Sequence, residues 1–316
     1  MDRLQKNIAE AVLGKPELIR LALIAVLADG HILVEDMPGV GKTLLAKALA
    51  RSLDCSFHRI QFTPDLLPSD LIGTSVFQQH TGRFVFQPGP IFAQIILADE
   101  INRATPRTQS ALLEAMSDRQ VSVDGVTHPL GSPFLVLATQ NPFEFEGTYP
   151  LPESQLDRFL MRLQIGYPSR EAEFEILASH RDGEPVDRLT PVIHAEQVVQ
   201  LQTLVRKVRL EASVAHYILD VVQATRTHAD IALGASPRAA IGLYRAAQAS
   251  ALLDGRDYVI PDDVKALAAP VLAHRLIISP SARIRNVSAA EVIADVLKAV
   301  AVPGARAGRR FERVAR

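Results

Sequence analysis

A glycine-rich loop behind a short apolar segment constrains this chain more than any other feature of its sequence. The loop Asp36-Met-Pro-Gly-Val-Gly-Lys-Thr43 follows Ile32-Leu-Val34 and precedes a strongly helix-forming run that begins at Leu44. A strand, loop and helix in this order, with glycines that turn backbone N–H groups inward, are typical of a P-loop that cradles nucleotide phosphates. The helix N-terminus adds a favourable dipole for the anion. The sequence therefore predicts a nucleoside triphosphate site.

The residues of this loop have separate expected roles. Lys42 would reach the β- and γ-phosphates, and Thr43 would offer its hydroxyl to Mg²⁺. Asp36 departs from the consensus, which begins with glycine. The loop residues predicted to contact nucleotide are Pro38, Gly39, Val40, Gly41, Lys42, Thr43 and Leu44.

Two adjacent carboxylates follow another apolar segment. Ile95-Ile-Leu-Ala98 leads directly into Asp99 and Glu100, and α/β sheets bind their ligands at the carboxyl ends of the strands. The two side chains project differently, so we expect Asp99 to hold Mg²⁺ and Glu100 to orient or deprotonate the attacking water. Together with the P-loop, this pair predicts Mg²⁺-dependent hydrolysis of ATP to ADP and phosphate.

Length and composition limit the other possibilities. A chain of 316 residues with 48% hydrophobic content can bury a sizeable core, and its length suggests about two domains. The longest apolar stretch, Leu21 to Ala28, is too short to span a bilayer. One cysteine, Cys55, excludes an intrachain disulfide and is compatible with a reducing cytosol. We therefore expect a cytoplasmic protein without membrane insertion.

The charge balance argues against a nucleic acid partner. The formal net charge is −1, from 34 basic and 35 acidic residues, so no global positive charge attracts phosphate backbones. The exception is the basic tail from Arg306 to Arg316, which we expect to be a solvated terminus. The histidines show no paired metal spacing, so no structural metal is predicted.

Five apolar segments in the first half are predicted to be strands separated by helices. The third and fourth are continuous apolar runs, which favour central parallel strands, whereas the second and fifth alternate and suit outer positions. An α/β sandwich follows. The five segments are His31 to Val34, Phe57 to Phe62, Ile95 to Ala98, Phe134 to Ala138 and Met161 to Ile165.

Two β-hairpins are predicted to interrupt this pattern. The first runs from Val76 to Gln87 around a Thr-Gly turn, and the second runs from Gln120 to His128 with Asp124 and Gly125 in its turn. The first has aromatic-rich arms, which suggest a contact surface.

Only helical periodicity follows Tyr167. Ser236 and Pro237 form a fitting N-cap and first-turn pair for an alanine-rich helix that ends near Leu253. The predicted domains are therefore an α/β core over residues 1–167 and an all-helical domain over residues 168–316.

Several motifs occur in an order that resembles the MoxR-type AAA+ ATPases, in the clade with an insertion in helix 2. The resemblance covers residues 12 to about 300 and implies a parallel five-stranded P-loop sheet sandwiched by helices, with β-hairpin insertions and a C-terminal all-α lid. Family members often carry a non-glycine residue at the position of Asp36. The motifs are Glu35 to Thr43, Asp99 to Met116, Ala138 to Pro142, Leu151 to Phe159 and Gly234 to Ala239.

The resemblance also implies roles for further residues. Asn141 follows the fourth strand and resembles sensor 1, which would position the lytic water beside Glu100. Arg158 lies where the family places its arginine finger, which acts on the nucleotide of a neighbouring subunit. Arg238 resembles sensor 2 on the lid, and the sequence leaves open whether it acts on its own nucleotide or on a neighbour's. The segment Val12-Leu13-Gly14 resembles the segment that packs against adenine.

Partners are implied by the same resemblance. It implies a ring, expected to be a hexamer, that remodels, matures or activates client proteins as a chaperone does. Such clients often bear a von Willebrand factor A domain or await a metal cofactor. The two hairpins would face the ring axis or a partner, which makes Phe77, Phe84 and Phe86 candidate contacts. Arg103 and Arg107 would lie near the subunit interface.

Three other functions stay open at this point. A nucleic-acid-stimulated AAA+ motor shares the helix-2 insertion, although the balanced charge opposes it. A nucleotide-gated binding module would assemble with nucleotide and hardly turn it over, which the intact Asp99 and Glu100 pair disfavours. A motor subunit of a metal chelatase is a nearer relative and would need dedicated partners.

Overall fold

The structure is a computed structural model that describes residues 1–142 and 147–304 of the chain. The basic tail predicted to be a solvated terminus therefore lies outside the described residues. The strands are β1 Ile32–Glu35, β2 Phe57–Gln61, β3 Gly73–Gln78, β4 Arg83–Pro88, β5 Ile95–Asp99, β6 Gln120–Val123, β7 Val126–Pro129, β8 Leu135–Gln140, β9 Met161–Leu163, β10 Ile231–Leu233 and β11 Ile277–Ile278.

The helices surround these strands in the chain order expected of an α/β protein followed by a helical region. They are α1 Asp2–Ala9, α2 Pro16–Leu27, α3 Lys42–Ser52, α4 Pro68–Ile72, α5 Pro106–Asp118, α6 Glu153–Leu156, α7 Arg170–Ser179, α8 Ala195–Val205, α9 Ala212–Thr227, α10 Pro237–Leu253, α11 Pro261–Leu272, α12 Pro280–Ile284 and α13 Ala289–Ala299.

The central sheet is parallel and has five strands in the order β2, β5, β8, β1, β9. The two alternating segments form the edge strands β2 and β9, and the two continuous apolar segments form β5 and β8 inside the sheet, as predicted. The reason is burial on both faces: Ile95 and Leu97 pack into one hydrophobic layer, whereas Ile96 and Ala98 pack into the other.

Both predicted hairpins are present, and they contact each other. The pair β3 and β4 is in register from Gly73 opposite Pro88 to Gln78 opposite Arg83, and β6 pairs with β7 around a turn in which Asp124 and Gly125 have φ of 50° and 78°. Phe86 of the first hairpin stacks on His128 of the second, with ring centroids 3.9 Å apart. The hairpins therefore form one packed protrusion.

As far as residue 304, where the description ends, the chain after β9 is helical, as predicted, except for one short strand pair. The side chain of Ser236 accepts a hydrogen bond from the N–H of Ala239 at 3.2 Å and caps α10, as expected. Strands β10 and β11 pair antiparallel; they were missed because three- and two-residue strands carry too little alternation to be recognised.

The hydrophobic layer on one side of the sheet continues without interruption into the helical region. Helix α2 packs against α8 and α10, and residues from all three helices share one core with β1 and β9. No break in the packing of the described residues therefore marks a boundary, and the division between residues 167 and 168 stays a prediction. No described helix is both long enough and apolar enough to cross a membrane.

Acid should destabilise this fold through a buried histidine. The Nδ1 of His31 accepts a hydrogen bond from the N–H of Val136, and its Nε2 lies 3.1 Å from the carbonyl oxygen of Met116. Burial lowers the pKa of His31 from 6.5 to about 4, so between these values the unfolded chain binds a proton that the folded chain does not. We expect the unfolding free energy to fall by about 2 kcal/mol from pH 7 to pH 5.

Urea unfolding at several pH values measures this slope. His31→Gln should make it shallower, although not flat, because burial also lowers the pKa of His274, to about 3. His80→Gln in the exposed turn of the first hairpin is the matched control. An identical slope in the His31 variant and the parent protein would contradict the assignment.

Candidate functional site

A large cleft of about 1040 Å³ lies where the loops that follow β1, β5 and β8 meet the segment after β9 and helix α7. This is the carboxyl edge of the sheet, where α/β proteins bind ligands. The cleft brings together most of the residues singled out from the sequence. They are Val12, Leu13, Pro38, Gly39, Val40, Gly41, Lys42, Thr43, Leu44, Asp99, Glu100 and Asn141.

The loop before α3 has the backbone conformation that a phosphate cradle requires. Gly39 and Gly41 have φ of 83° and 96°, in the left-handed region that other L-residues rarely adopt. An added Cβ at either position would meet no described atom within 4 Å, so conformation rather than crowding explains these glycines. Helix α3 begins at Lys42, whose Nζ donates a hydrogen bond to the carbonyl oxygen of Asp36.

Asp36, the residue that departs from the P-loop consensus, ties the loop to the segment after β9. Its Oδ2 accepts hydrogen bonds from the N–H groups of Ile165 at 2.7 Å and Gly166 at 2.6 Å, and its Oδ1 accepts from Met37 N at 2.8 Å. Lys15 holds the same segment, since its Nζ donates to the carbonyl oxygen of Ile165 at 2.6 Å. The carboxylate thus has a structural role that glycine cannot supply.

Asp36→Ala should therefore lower stability and weaken nucleotide binding. Three backbone N–H groups, those of Met37, Ile165 and Gly166, lose a charged acceptor, and one such hydrogen bond is worth about 1.5–3 kcal/mol. We expect the unfolding free energy in urea to fall by about 3 kcal/mol or more, with a weaker affinity for a fluorescent ATP analogue. Asp220→Ala on the exposed face of α9 is the control. Unchanged stability and affinity in the Asp36 variant would refute this role.

Asp99 is held by donors on both neighbouring strands. Its Oδ1 accepts a hydrogen bond from the hydroxyl of Thr139 at 2.6 Å, and its Oδ2 accepts from Nε and Nη2 of Arg59 at 3.0 and 2.7 Å. The position of Asp99 beside β2 follows from the strand register, because Gln61 at the end of β2 lies opposite Asp99 at the end of β5. The carboxylate is oriented into the cleft by the sheet itself.

Glu100 is oriented separately from Asp99. Its φ of 57° lies in the left-handed region, and its N–H donates to the hydroxyl oxygen of Thr139 at 2.9 Å. Its Oε2 accepts hydrogen bonds from Nε2 of Gln61 at 2.8 Å and Nη1 of Arg103 at 3.2 Å. The two carboxylates therefore have different partners, which fits the different roles expected of them.

The oxygen atoms around the loop fit Mg²⁺ bound together with a nucleotide. Thr43 and Asp99 both line the cleft and offer a hydroxyl and a carboxylate, which are hard ligands of the kind that Mg²⁺ prefers. Among the described residues, no three histidine, cysteine, aspartate or glutamate side chains cluster closely enough to hold a metal alone. A metal here would rely on phosphate oxygens and water for its remaining ligands.

An apolar wall lies at the other end of the cleft. Val12 and Leu13 belong to it, as expected of a surface for a purine ring. Gly14 is not among the residues that line the cleft; its φ is 69°, and an added Cβ would lie 2.7 Å from the Cβ of Ala172 on α7. Gly14 therefore permits the close approach of α7. The wall also includes Leu18, Ile165, Tyr167, Ile176 and Val186.

Arg158 and Arg238 do not line this cleft among the residues that the structure describes. Nη1 of Arg158 donates to the carbonyl oxygen of Leu113 and to the hydroxyl of Ser117, both on α5. Arg238 is exposed in the first turn of α10. Its charge contributes to lowering the pKa of Arg275, after the larger effect of burial. Both predicted arginines are thus outside the cleft of their own chain.

Sequence reasoning missed several residues of the cleft. Arg59 and Gln61 lie on edge strand β2, and only the pairing of β2 with β5 brings them to the carboxylates. Lys15 acts through the backbone of a segment about 150 residues away in the chain. No local pattern distinguishes these residues from ordinary surface side chains.

The two arginines expected near a subunit interface have different surroundings. Arg103 contacts Glu100 in this chain, whereas Arg107 is exposed on α5.

Comparisons with known proteins agree with this geometry. Residues 31–161 match the model of the ATPase family associated with various cellular activities (AAA), and residues 223–296 match the AAA lid domain. The chain is 43% identical to Chaperone MoxR1 of Mycobacterium tuberculosis, over 96% of this chain and 82% of that protein. It is 34% identical to Protein MoxR of Paracoccus denitrificans, over 93% and 94%.

Two further similarities extend over nearly the whole chain. The uncharacterized protein YeaC of Bacillus subtilis is 50% identical over 96% of this chain and 95% of its own length. A solved structure from Cytophaga hutchinsonii, described as a candidate ATPase, superposes with a TM-score of 0.89 at 42% identity, over 95% of this chain and 94% of that one. The similarity therefore includes both the sheet and the helical region.

Proposed function

The chain belongs to the MoxR family of AAA ATPases, and on this premise we propose that it hydrolyses Mg²⁺-bound ATP in a ring of identical subunits to remodel client proteins. ATPase activity and a chaperone-like character follow from the family. The ring, its size and its clients are the further content of the proposal.

One observation carries the proposal of a shared site: the cleft contains the P-loop and the acid pair, whereas the two arginines predicted to act on nucleotide, Arg158 and Arg238, are outside it. Hydrolysis of a phosphoanhydride needs positive charge to stabilise the transition state. Lys42 lines the cleft of the same chain, and a neighbour in a head-to-tail ring would supply Arg158. Arg238, also outside the cleft, would reach the site from the neighbour in the same way.

The residues of the chain have distinct tasks in this reaction. The backbone from Pro38 to Leu44 would surround the phosphates, and Val12 and Leu13 would pack on the base. Bound Mg²⁺ would neutralise phosphate charge, and Thr43 and Asp99 are the residues that would hold it. Glu100 would accept a proton from water that Asn141 orients, so that the oxygen can attack the γ-phosphorus.

Ring formation has a direct test. We propose a hexamer, so native mass spectrometry of Glu100→Gln with ATP should give a species of six 34.5 kDa chains. A head-to-tail interface closes into a ring only at a fixed rotation, so one dominant stoichiometry is expected. A single-chain mass at micromolar concentration with ATP bound would contradict the ring.

The hairpin protrusion is the proposed client contact. Phe77 and Phe84 are 51% and 72% exposed, and their rings lie 5.3 Å apart across the β3–β4 pair. Exposed aromatic pairs of this kind are typical of surfaces that contact other proteins. Phe86 has a different role, since it stacks on His128 and joins the two hairpins. On the basis of the family resemblance, we also propose that the clients bear a von Willebrand factor A domain or await a metal cofactor.

Removing the exposed aromatic pair should separate client binding from hydrolysis. Phe77→Ser with Phe84→Ser, in a Glu100→Gln background with ATP, should reduce the recovered client protein several-fold, as measured by quantitative mass spectrometry. With Glu100 intact, the pair should keep basal ATPase activity within about twofold, because neither residue lines the cleft.

Phe174→Ser provides the matched control, since Phe174 is 73% exposed on α7, outside the hairpins. It should leave client recovery unchanged. Equal recovery with the hairpin variant, or an equal loss with Phe174→Ser, would refute the hairpin as the client contact.

A further inference from the structure

Asp157 connects the two chain segments that carry the arginines outside the cleft. It directly precedes Arg158, and both of its carboxylate oxygens lie within reach of the Ser236 hydroxyl, at 3.3 and 3.1 Å. Ser236 is the N-cap of α10, and Arg238 lies in the first turn of that helix. The turn that carries Arg158 is therefore joined, through the Asp157 carboxylate, to the helix end that carries Arg238.

Arg275 holds this carboxylate from the side of the helical region. Its Nε lies 3.0 Å from Oδ1 of Asp157, and its Nη2 donates to the carbonyl oxygens of Phe159 at 2.7 Å and Asp157 at 3.3 Å. The side chain is 4% exposed, whereas that of Asp157 is 22% exposed. Burial lowers the pKa of Arg275 to about 10, so the guanidinium is still charged at pH 7.

The space for this guanidinium is built into α10. A Cβ at Gly242, about one helical turn after Arg238, would lie 3.0 Å from Nη1 of Arg275 and 3.3 Å from Cδ1 of Leu160. The helix therefore carries glycine at the point where the arginine passes. Apolar side chains of similar volume often stabilise a buried space as well as an ion pair does. A buried ion pair is better known for fixing one particular arrangement of the elements around it.

From this arrangement we propose that Asp157 and Arg275 are positioning residues, which set the spacing of Arg158 and Arg238 so that both reach the nucleotide of the adjacent subunit. Neither Asp157 nor Arg275 lines the cleft of its own chain, so their effect acts through the two arginines. This inference rests on the proposed ring and extends it, since it names what holds the donated arginines in register.

Asp157→Asn is the direct variant. It keeps the shape of the side chain, removes its charge and weakens its hold on Arg275 and Ser236. A shift of about 1 Å in a catalytic group can cost about a hundredfold in rate, so we expect kcat for ATP to fall about tenfold to a hundredfold. The affinity for an ATP analogue should stay within about twofold, because the cleft of the same chain is intact. Arg275→Met should act in the same direction.

Mixed rings distinguish a positioning role from a general loss of structure. Asp157→Asn would be defective only as an arginine donor, whereas Lys42→Ala is defective only in its own P-loop. Mixing the two should restore hydrolysis, because some sites pair an intact P-loop with intact arginines. Mixing Asp157→Asn with Arg158→Ala should restore none, since both changes affect the same face.

The matched control is Asp254→Asn. Asp254 also pairs with an arginine across α2 and α10, at 2.6 Å from Arg20, but it lies at the opposite end of α10 from Arg238. It should leave kcat within about twofold of wild type. Circular dichroism melts show whether each variant is folded. If Asp157→Asn does not fold, Arg275→Met takes its place in the same mixing experiments.

Three outcomes would overturn the inference. The first is a wild-type kcat in both Asp157→Asn and Arg275→Met. The second is recovery of ATP hydrolysis when Asp157→Asn is mixed with Arg158→Ala. The third is that Asp157→Asn fails to complement Lys42→Ala although Arg158→Ala does complement it. If Arg158→Ala itself fails to complement Lys42→Ala in rings that contain both chains, the proposed shared site is wrong instead.

Discussion

Glu100→Gln is expected to stop ATP hydrolysis while ATP stays bound. The amide keeps the shape of the side chain and can still contact Gln61 and Arg103, but it cannot accept a proton from the attacking water. General base catalysis contributes about 10²–10⁴-fold, so the turnover rate should fall by at least about a hundredfold. Affinity for ATP should change little, because the proposed phosphate contacts are Lys42 and the loop backbone rather than Glu100.

Single-turnover hydrolysis of radiolabelled ATP, together with equilibrium binding, separates these two effects. The control is Glu114→Gln, an equivalent change at an exposed position of α5, which should hydrolyse ATP at the wild-type rate. Hydrolysis by Glu100→Gln at the wild-type rate, with ATP bound, would show that another group acts as the base. A loss of binding instead would mean that Glu100 supports the nucleotide rather than the water.

Arg158→Ala is expected to lower the hydrolysis rate by about 10³-fold or more, the range seen when an arginine finger is removed. Its own cleft is unaffected, because the guanidinium contacts Leu113 and Ser117 on α5 rather than any residue that lines the cleft. The nucleotide affinity of the variant should therefore match that of the wild type. Lys42→Ala should be inactive for the opposite reason, since its own phosphate site is incomplete.

Mixing these two inactive variants should restore activity. In a random ring of equal parts, about a quarter of the sites combine an intact Lys42 with an intact Arg158 from the neighbour. The same experiment decides how Arg238 acts. If Arg238 serves the neighbour, Arg238→Ala is rescued by Lys42→Ala and not by Arg158→Ala; if it serves its own nucleotide, the pattern reverses. No recovery at any ratio in confirmed mixed rings would exclude a finger donated between subunits.

The strand order shows which long-range features the sequence could predict. Apolar residues on both faces mark β5 and β8 as central, and alternation marks β2 and β9 as edges, because burial acts on each strand whatever its partner is. The pairing of β2 with β5 carries no such mark. Arg59 and Gln61 could therefore not be linked to Asp99 and Glu100 before the sheet was assembled.

Asp36 shows how the same limit affects a single residue. The family resemblance implied that a non-glycine residue is common at this position, but not what the aspartate does. Its partners are backbone N–H groups at Ile165 and Gly166, about 130 residues further along the chain. Every residue except proline carries such a donor, so no side-chain pattern at 165 and 166 could identify the contact.

The sequence by itself determined the glycine-rich loop and the acidic strand end, because both depend on local backbone geometry and on residue types at short spacing. The tertiary structure decided how these parts are completed. It brought Thr139, Arg59 and Gln61 to the carboxylates, left Arg158 and Arg238 outside the cleft of their own chain, and joined Asp157 to Arg275, which lies 118 residues away. Such contacts depend on how strands and helices pack, and a polar side chain can meet its partner at almost any separation in the chain.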